Sequence, residues 1–147
     1  MGDRQAHLEW AIEQLSSIGR MGRVSSFYET KPWGNPQQAN FLNAAAEFKT
    51  YLPPEELLDM IKEIEKAAGR DLSARRWGPR PLDIDILLCG ALQISTPRLT
   101  IPHPAMLERE FVLEPLAQIA PAAAIPGTDK TCGEIWAEWK VSRVHGN

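Results

Sequence analysis

The residues of this chain best suited to chemistry lie in one run, Arg75-Arg76-Trp77-Gly78-Pro79-Arg80-Pro81-Leu82-Asp83-Ile84-Asp85-Ile86-Leu87-Leu88. Gly78, Pro79 and Pro81 forbid a regular helix at its start, and the branched apolar residues at its end read as a strand. Side chains alternate along a strand, so Asp83 and Asp85 share one face while Leu82, Ile84 and Ile86 take the core face. Two carboxylates side by side repel unless a cation or a proton sits between them, and hard oxygen ligands at this spacing suit Mg²⁺ shared with substrate phosphates. The arginines just upstream supply planar donors that match phosphate oxygens. The competing reading is a solvated face of an edge strand. Edge strands favour Lys or Thr over paired Asp, and the Arg-rich approach weighs toward metal and phosphate.

The elements that must position this run can be read in order. Residues 3 to 18 form an amphipathic helix, with Asp3 as N-cap, Leu8, Ala11, Ile12, Leu15 and Ile18 along one stripe, and Gly19 past the end. Residues 23 to 30 are β-prone and lead into the loop Lys31-Pro32-Trp33-Gly34-Asn35-Pro36. Asn40 to Thr50 returns as a second strand, which suggests a hairpin with a functional crossing. Trp33 is either a partly packed cap or a ligand platform. Asn43 inside a strand is more telling, since a buried amide needs partners and can donate to and accept from a heterocycle edge.

Pro53-Pro54-Glu55-Glu56 opens a second helix, with proline in the first turn and acids at the positive end. Leu57, Leu58, Ile61, Ile64 and Ala68 form its buried stripe, and Gly69 is expected to close it. A loop from Arg70 to Pro81 and the Asp-bearing strand follow, then a turn at Gly90 and a short piece at Leu92-Gln93-Ile94. In Arg98-Leu99-Thr100-Ile101-Pro102-His103-Pro104 the two prolines hold His103 in extended geometry. A lone His is usually structural or exposed, but between Arg98 and Arg109 it reads as a phosphate contact. A short helix over Met106 to Glu110 and another over Phe111 to Ile119 come next. Thr131-x-x-Glu134 is a capping-box pattern opening a terminal helix, whose Ile135, Trp136 and Trp139 read as packing.

The totals set limits. A chain of 147 residues makes one domain, spanning residues 1–147, with room for a proper core. A formal charge of −3 gives no global attraction to nucleic acid or to anionic membrane, so any basic site is local. Cys89 and Cys132 lack metal-type spacing and read as reduced thiols of a cytoplasmic protein. No run is long enough for a membrane span, and the first residues lack the pattern of a signal peptide. Helix, strand, strand, helix, strand and a C-terminal helical annex amount to βαββαβ without its first strand. The expected fold is therefore an α+β, ferredoxin-like sandwich with C-terminal helical additions and its first strand missing from this chain.

Arg76-x-Gly78-Pro79-Arg80-x-x-Asp83-Ile84-Asp85-Ile86-Leu87 resembles the signature of the 6-hydroxymethyl-7,8-dihydropterin pyrophosphokinases of folate biosynthesis. The similarity extends through Ser25-Ser26-x-Tyr28-x-Thr30, Phe41-Leu42-Asn43-Ala44-Ala45, Ile64-Glu65, Gly69-Arg70 and Leu99-Thr100-Ile101-Pro102-His103. That family moves the terminal diphosphate of ATP onto the pterin hydroxymethyl group and releases AMP. The resemblance implies that Asp83 and Asp85 hold two Mg²⁺ bridging ATP to the pterin hydroxyl, with Arg80 and, on a loop, Arg70 as catalytic phosphate contacts. It places Arg98, Thr100, His103 and Arg109 on ATP, and Glu65 near the nucleotide. The pterin would lie between Trp77 and Phe111, with Thr30, Asn43 and the backbone from Lys31 to Trp33 reading its edges. Lys31 and Pro104 depart from the pattern, which more often has Pro and an aromatic there. The implied partners are these small molecules alone, with no nucleic acid and no membrane, and the implied state is a monomer.

Two other readings stand beside this one. A catalytically impaired or non-catalytic pterin- or nucleotide-binding remnant would bind ligand without forming AMP. A ferredoxin-like RNA-binding module would want exposed strand aromatics and a basic sheet face, which the acidic pair and net negative charge oppose. The family begins with an apolar strand and a Gly-Ser-Asn-Leu-Gly-Asp-Arg type of loop, whereas this chain begins Met1-Gly2-Asp3-Arg4, with Met1 in the place of the leucine. The expectation is that the native start lies upstream, at a point before a Leu codon taken as initiator. The intact mass of the protein isolated from its source should then exceed 16.4 kDa, and a mass equal to that value would refute the misplaced start.

Overall fold

The computed structural model describes residues 2–30, 41–71 and 82–145. Its elements are α1 (Gly2–Leu15), β1 (Arg20–Val24), β2 (Tyr28–Thr30), β3 (Phe41–Asn43), β4 (Ala46–Lys49), α2 (Pro54–Asp71), β5 (Ile94–Ser95), β6 (Thr100–Ile101), α3 (Glu110–Ile119) and α4 (Cys132–His145). Helices and small antiparallel sheets make this a mixed α+β chain. Strands β1 and β4, β2 and β3, and β5 and β6 form three two-stranded sheets. Two compact units are distinguished, Met1–Gly22 with Phe48–Asp85, and Arg23–Glu47 with Ile86–Asn147. Among the described residues no helix is long and apolar enough to cross a membrane.

In the first unit α1 packs on α2. Ala11, Ile64, Ala68 and Leu82 are buried together, with Leu8, Trp10, Leu15, Ile18 and Ile84 packed around them. Leu8, Ala11, Leu15 and Ile18 of the expected first stripe and Ile64 and Ala68 of the second thus share one core, which Trp10 joins from outside the expected stripe. Asp3 lies inside α1 rather than at its cap, because the helix starts at Gly2. Gly19 has a spatial reason to be glycine: a Cβ there would stand 2.4 Å from the Phe48 ring and 2.5 Å from the Lys49 carbonyl oxygen. Helix α2 opens as expected, Pro53 O accepting the Leu57 N–H at 2.9 Å and Glu55 and Glu56 occupying its first turn. Its end differs from expectation. Gly69 does not close it; the helix runs on through Arg70 to Asp71, and Gly69 lacks the positive φ of a closing glycine.

In the second unit the expected long hairpin is broken once on each strand. Residues 25–27 separate β1 from β2, and 44–45 separate β3 from β4. The two breaks face each other: Ser25 N–H donates to Ala45 O, and Ala45 N–H donates to the Ser25 hydroxyl, both at 2.8 Å. A side-chain oxygen thus takes the place of a carbonyl in the ladder, which satisfies the buried Ala45 donor across the break. The core here is Ala45, Met106, Leu116, Ile119, Ile125 and Cys132, and α3 packs on α4, β2 and β3. Residues 104–108 are turns where a short helix over Met106 to Glu110 was expected. The capping box is present: Thr131 N–H donates to Glu134 Oε1 at 2.8 Å, and Glu134 N–H donates to Thr131 Oγ1 at 3.2 Å. Trp136 and Trp139 stack at 6.5 Å, so they pack as expected. Cys89 and Cys132 are both free thiols, and burial pushes the Cys132 thiol above its ordinary value.

Gly69 sits exposed in the last turns of α2, with nothing within 4 Å of an added Cβ. Gly69→Ala is expected to stabilise the protein by about 0.5–1 kcal/mol, by restricting the unfolded chain without a clash in the folded one. Chemical denaturation should show a raised midpoint at constant slope; a lowered midpoint would contradict the helical assignment of residue 69.

Candidate functional site

Leu82 to Leu88 was expected to be a strand, and the structure corrects this: residues 82–88 have no strand assignment. β-Propensity supplies suitable side chains but no partner, and a strand exists only with a ladder beside it. The alternation nevertheless holds where the two acids sit. Leu82 is 5% exposed, Ile84 packs against the same core, and Asp83 and Asp85 both face solvent. The segment is held by other means. Ile84 N–H donates to Glu65 Oε2 at 2.7 Å, and Lys62 Nζ stands 3.5 Å from the other oxygen of that carboxylate. In the second unit the same run continues with Leu87, whose carbonyl accepts the His103 N–H at 2.9 Å.

Two exposed carboxylates on neighbouring alternate positions fit a hard divalent cation. Among the described residues no third His, Cys, Asp or Glu joins them. Arg70 lies in the last turn of α2, not in a loop, and is exposed. There its charge also complements the negative end of the helix dipole. Trp33, Trp77 and Arg80 lie outside the described residues.

The other expected site residues belong to the second unit. Thr30 ends β2 opposite Phe41, and Asn43 ends β3 opposite Tyr28; Asn43 is half-buried. Phe111 stands 38% exposed in the first turn of α3, with the Arg109 guanidinium 5.7 Å from its ring centre. That pairing sets a cation on the aromatic ring itself. Arg98 is exposed in a tight turn joining β5 to β6, where Thr96 and Leu99 exchange backbone bonds at 2.9 and 3.3 Å. The Thr96 hydroxyl also accepts the Arg98 and Leu99 N–H groups at 3.3 and 3.0 Å. Thr100 lies on β6 and, with Gln93, Ile94, Ser95, Ile101 and Pro102, lines a groove of about 270 Å³. His103 accepts the Ala105 N–H on Nδ1 at 3.1 Å, which makes Nε2 the nitrogen that carries the proton of the neutral ring.

Gln118 escaped the sequence reading. Its Oε1 accepts from the Tyr28 hydroxyl at 2.8 Å and from the Ser26 N–H at 2.9 Å, while its Nε2 donates to the Ser26 hydroxyl at 3.0 Å. One amide thereby ties α3, which carries Phe111, to β2, whose partner strand carries Asn43. Nothing in the helical period marks Gln118, because it is an exposed polar residue on a surface helix. Glu65 was placed near the nucleotide, and its bond to Ile84 was not foreseen. The available signal was a carboxylate four residues after Ile61 and three before Ala68, both buried.

Three curated relatives align along most of this chain. A protein of Bacillus subtilis is 43% identical over 144 residues, covering 94% of this chain and 86% of its own length. One of Methylorubrum extorquens is 46% identical over 129 residues, covering 86% and 81%, and one of Haemophilus influenzae is 47% identical over 118 residues, covering 80% and 72%. Each carries the name 2-amino-4-hydroxy-6-hydroxymethyldihydropteridine pyrophosphokinase. The family model described as 7,8-dihydro-6-hydroxymethylpterin-pyrophosphokinase (HPPK) matches residues 1–121.

Burial, reinforced by the charge of Glu114, pushes the Tyr28 phenol above the ordinary 10.0. A phenol raised in the folded state contributes stability that is fully present below the unfolded value and is lost as pH rises through the folded one. The denaturation midpoint should therefore fall above about pH 10, and Tyr28→Phe should lessen the fall. A fall of equal depth in the variant would assign the alkaline sensitivity to other groups.

Proposed function

This chain belongs to the 7,8-dihydro-6-hydroxymethylpterin-pyrophosphokinase family, and we propose that it transfers the terminal diphosphate of ATP to 6-hydroxymethyl-7,8-dihydropterin in folate biosynthesis. The hydroxymethyl oxygen forms a bond to the β-phosphorus of ATP and gives up its proton to solvent, the bond from that phosphorus to the oxygen bridging to the α-phosphate breaks, and AMP leaves. The observation that carries this reading is the pair Asp83 and Asp85, both solvent-facing on a segment whose alternate residues are anchored in a core. Transfer of this kind asks for alignment and charge neutralisation more than for covalent chemistry by the protein.

In this reading Asp83 and Asp85 hold two Mg²⁺, which when bound neutralise phosphate charge and acidify the attacking hydroxyl. Arg70 and Arg80 contact the transferring phosphates. Arg98, His103 and Arg109 hold the rest of the ATP phosphates, with His103 donating from Nε2. Thr100 sits beside the nucleotide, a role supported by the groove it lines. Trp77 and Phe111 stack on the pterin, and Thr30, Trp33 and Asn43 read its edges. The finer fold is a ferredoxin-like sandwich in a single domain with its first strand missing, a reading for which α1, the β1 to β4 hairpin and α2 supply an αββα order, with α3 and α4 as C-terminal additions. The protein works as a cytoplasmic monomer on small molecules. A non-catalytic remnant is not favoured, since relatives aligned along most of the chain bear enzyme names.

The test is incubation with ATP, Mg²⁺ and hydroxymethyl-dihydropterin, followed by measurement of AMP. AMP should form only with all three present, and its absence would sink the enzymatic reading. Asp85→Ala should lower turnover by a factor on the order of 10² or more through loss of a metal ligand. Its circular dichroism should be unchanged, since the side chain is exposed. Unchanged Mg²⁺-dependent turnover would remove Asp85 from the site.

A further inference from the structure

We infer that Glu65 is a positioning residue for the acid pair: its carboxylate holds the backbone between Asp83 and Asp85 and so fixes the face that they present to metal. This rests on the assignment of Asp83 and Asp85 as Mg²⁺ ligands, whereas the sequence comparison alone placed Glu65 beside the nucleotide.

Three observations carry it. First, the Glu65 side chain is only 8% exposed, and Oε2 is engaged at 2.7 Å by the Ile84 N–H, a length typical of a charge-assisted bond. A carboxylate so turned is committed to the chain rather than offered to an anionic nucleotide, which it would also repel. Second, Ile84 stands between the two acids. Peptide planarity locks the Ile84 N–H to the carbonyl of Asp83, so fixing that N–H fixes the peptide plane that joins them. The Ile84 side chain is fixed too, in the core that contains Leu82, Ile64 and Ala68. One residue is thus held by its backbone and by its side chain, and the two flanking carboxylates have little freedom to rotate about the segment axis. Third, residues 82–89 have no strand ladder among the described residues, so this bond does what a ladder would do for an ordinary strand.

The choice of residue also fits. A carboxylate buried on a helix stripe beside two further acids is costly unless it is paired and hydrogen-bonded. Lys62, one turn before it, stands 3.5 Å from Oε1, and Ile84 N–H takes Oε2. Outer partners of this kind orient metal ligands without touching the metal, and their loss typically costs about 10–100-fold in metal affinity or activity.

The experiment compares the wild-type chain with Glu65→Ala, Glu65→Gln, Glu65→Asp and Asp85→Ala. Mn²⁺ binding is followed by its electron paramagnetic resonance signal, in the presence of α,β-methylene-ATP, whose bridging carbon blocks transfer. Binding of the same analogue is measured without divalent metal, and circular dichroism monitors folding. Glu65→Ala should weaken Mn²⁺ binding about 10–100-fold, while Glu65→Gln, whose amide oxygen can accept the same bond, should stay within about threefold of wild type. Affinity for the metal-free analogue should not change in either. Wild-type Mn²⁺ affinity in a folded Glu65→Ala protein would overturn the inference. So would a loss confined to the metal-free analogue, which would make Glu65 a nucleotide contact. If Glu65→Ala does not fold, Glu65→Asp decides: it keeps the charge but falls short of Ile84, so it should weaken Mn²⁺, and wild-type affinity would again overturn the inference. Asp85→Ala separates the two levels. Unaltered Mn²⁺ binding there would defeat the metal assignment itself, whereas lost binding there with unaltered binding in Glu65→Ala would defeat only the role of Glu65.

Discussion

The first unit depends on how helix α2 grips the backbone at Ile84. Ile64 and Ala68 receive Leu82 and Ile84 in an apolar contact, while Glu65, between them in sequence, takes the Ile84 N–H. Burying Leu82 contributes about 1.5–3 kcal/mol, and the hydrogen bond keeps a half-buried backbone donor from being left unpaired. Both are made with α2, and at Ile84 the helix holds the side chain as well as the N–H. Their joint product is directional: Asp83 and Asp85 are turned away from the core without any strand ladder to turn them. Helix α1 completes the arrangement, since Ala11, Leu8 and Leu15 close the same core.

The second unit solves a comparable problem with hydroxyl and amide groups. A long hairpin interrupted on both strands would leave buried backbone groups unpaired at the break. The Ser25 hydroxyl takes the Ala45 N–H, and the Ser25 N–H reaches the Ala45 carbonyl, so the interruption leaves neither N–H of that pair unpaired. Gln118 then spans from α3 to Ser26 and Tyr28. Beneath these bonds lie fully buried side chains such as Met106, Leu113 and Ile125. Asn43 and Phe111, on separate elements, thereby acquire fixed positions within one packed body. The Arg109 cation over Phe111 gives that ring an electropositive neighbour, which suits electron-rich heterocycles and anionic groups alike.

The chemistry proposed for the chain fits its modest electrostatics. A net charge of −3 gives no global attraction to ATP, so the proposed chemistry relies on individually placed cations and on metal delivered with the nucleotide. Arg70 is placed at a helix end, Arg98 in a tight turn and Arg109 at the start of α3. Each stands at the end of an element, where a long side chain can extend without disturbing a core. Catalysis by alignment requires such cations to be located by rigid supports.

Much of this was legible in the residues. The stripes of α1 and α2, the capping box of α4, the stacking of Trp136 and Trp139, the turn at Gly90 and the alternation at Asp83 and Asp85 follow from short-range periodicity and capping chemistry, which a sequence carries directly. The signature around Gly78 to Leu87 carried the family, since its spacing is long and its residue types are chemically constrained. What the sequence could not decide was pairing. Residues 82–88 have strand-forming side chains, yet whether they enter a ladder depends on a partner supplied by the rest of the fold. Gly69 looked like a helix terminator because glycine often is one, but nothing local forbids the helix from continuing, and it does. The partners of Ser25, Gln118 and Glu65 lie 20, 92 and 19 positions away in sequence. Periodicity is a local property and hydrogen-bond satisfaction is not. The chain by itself determined which face of each element is apolar and which residues could bind metal and phosphate; only the tertiary structure decided which buried donor meets which acceptor, and so where the carboxylates of Asp83 and Asp85 point.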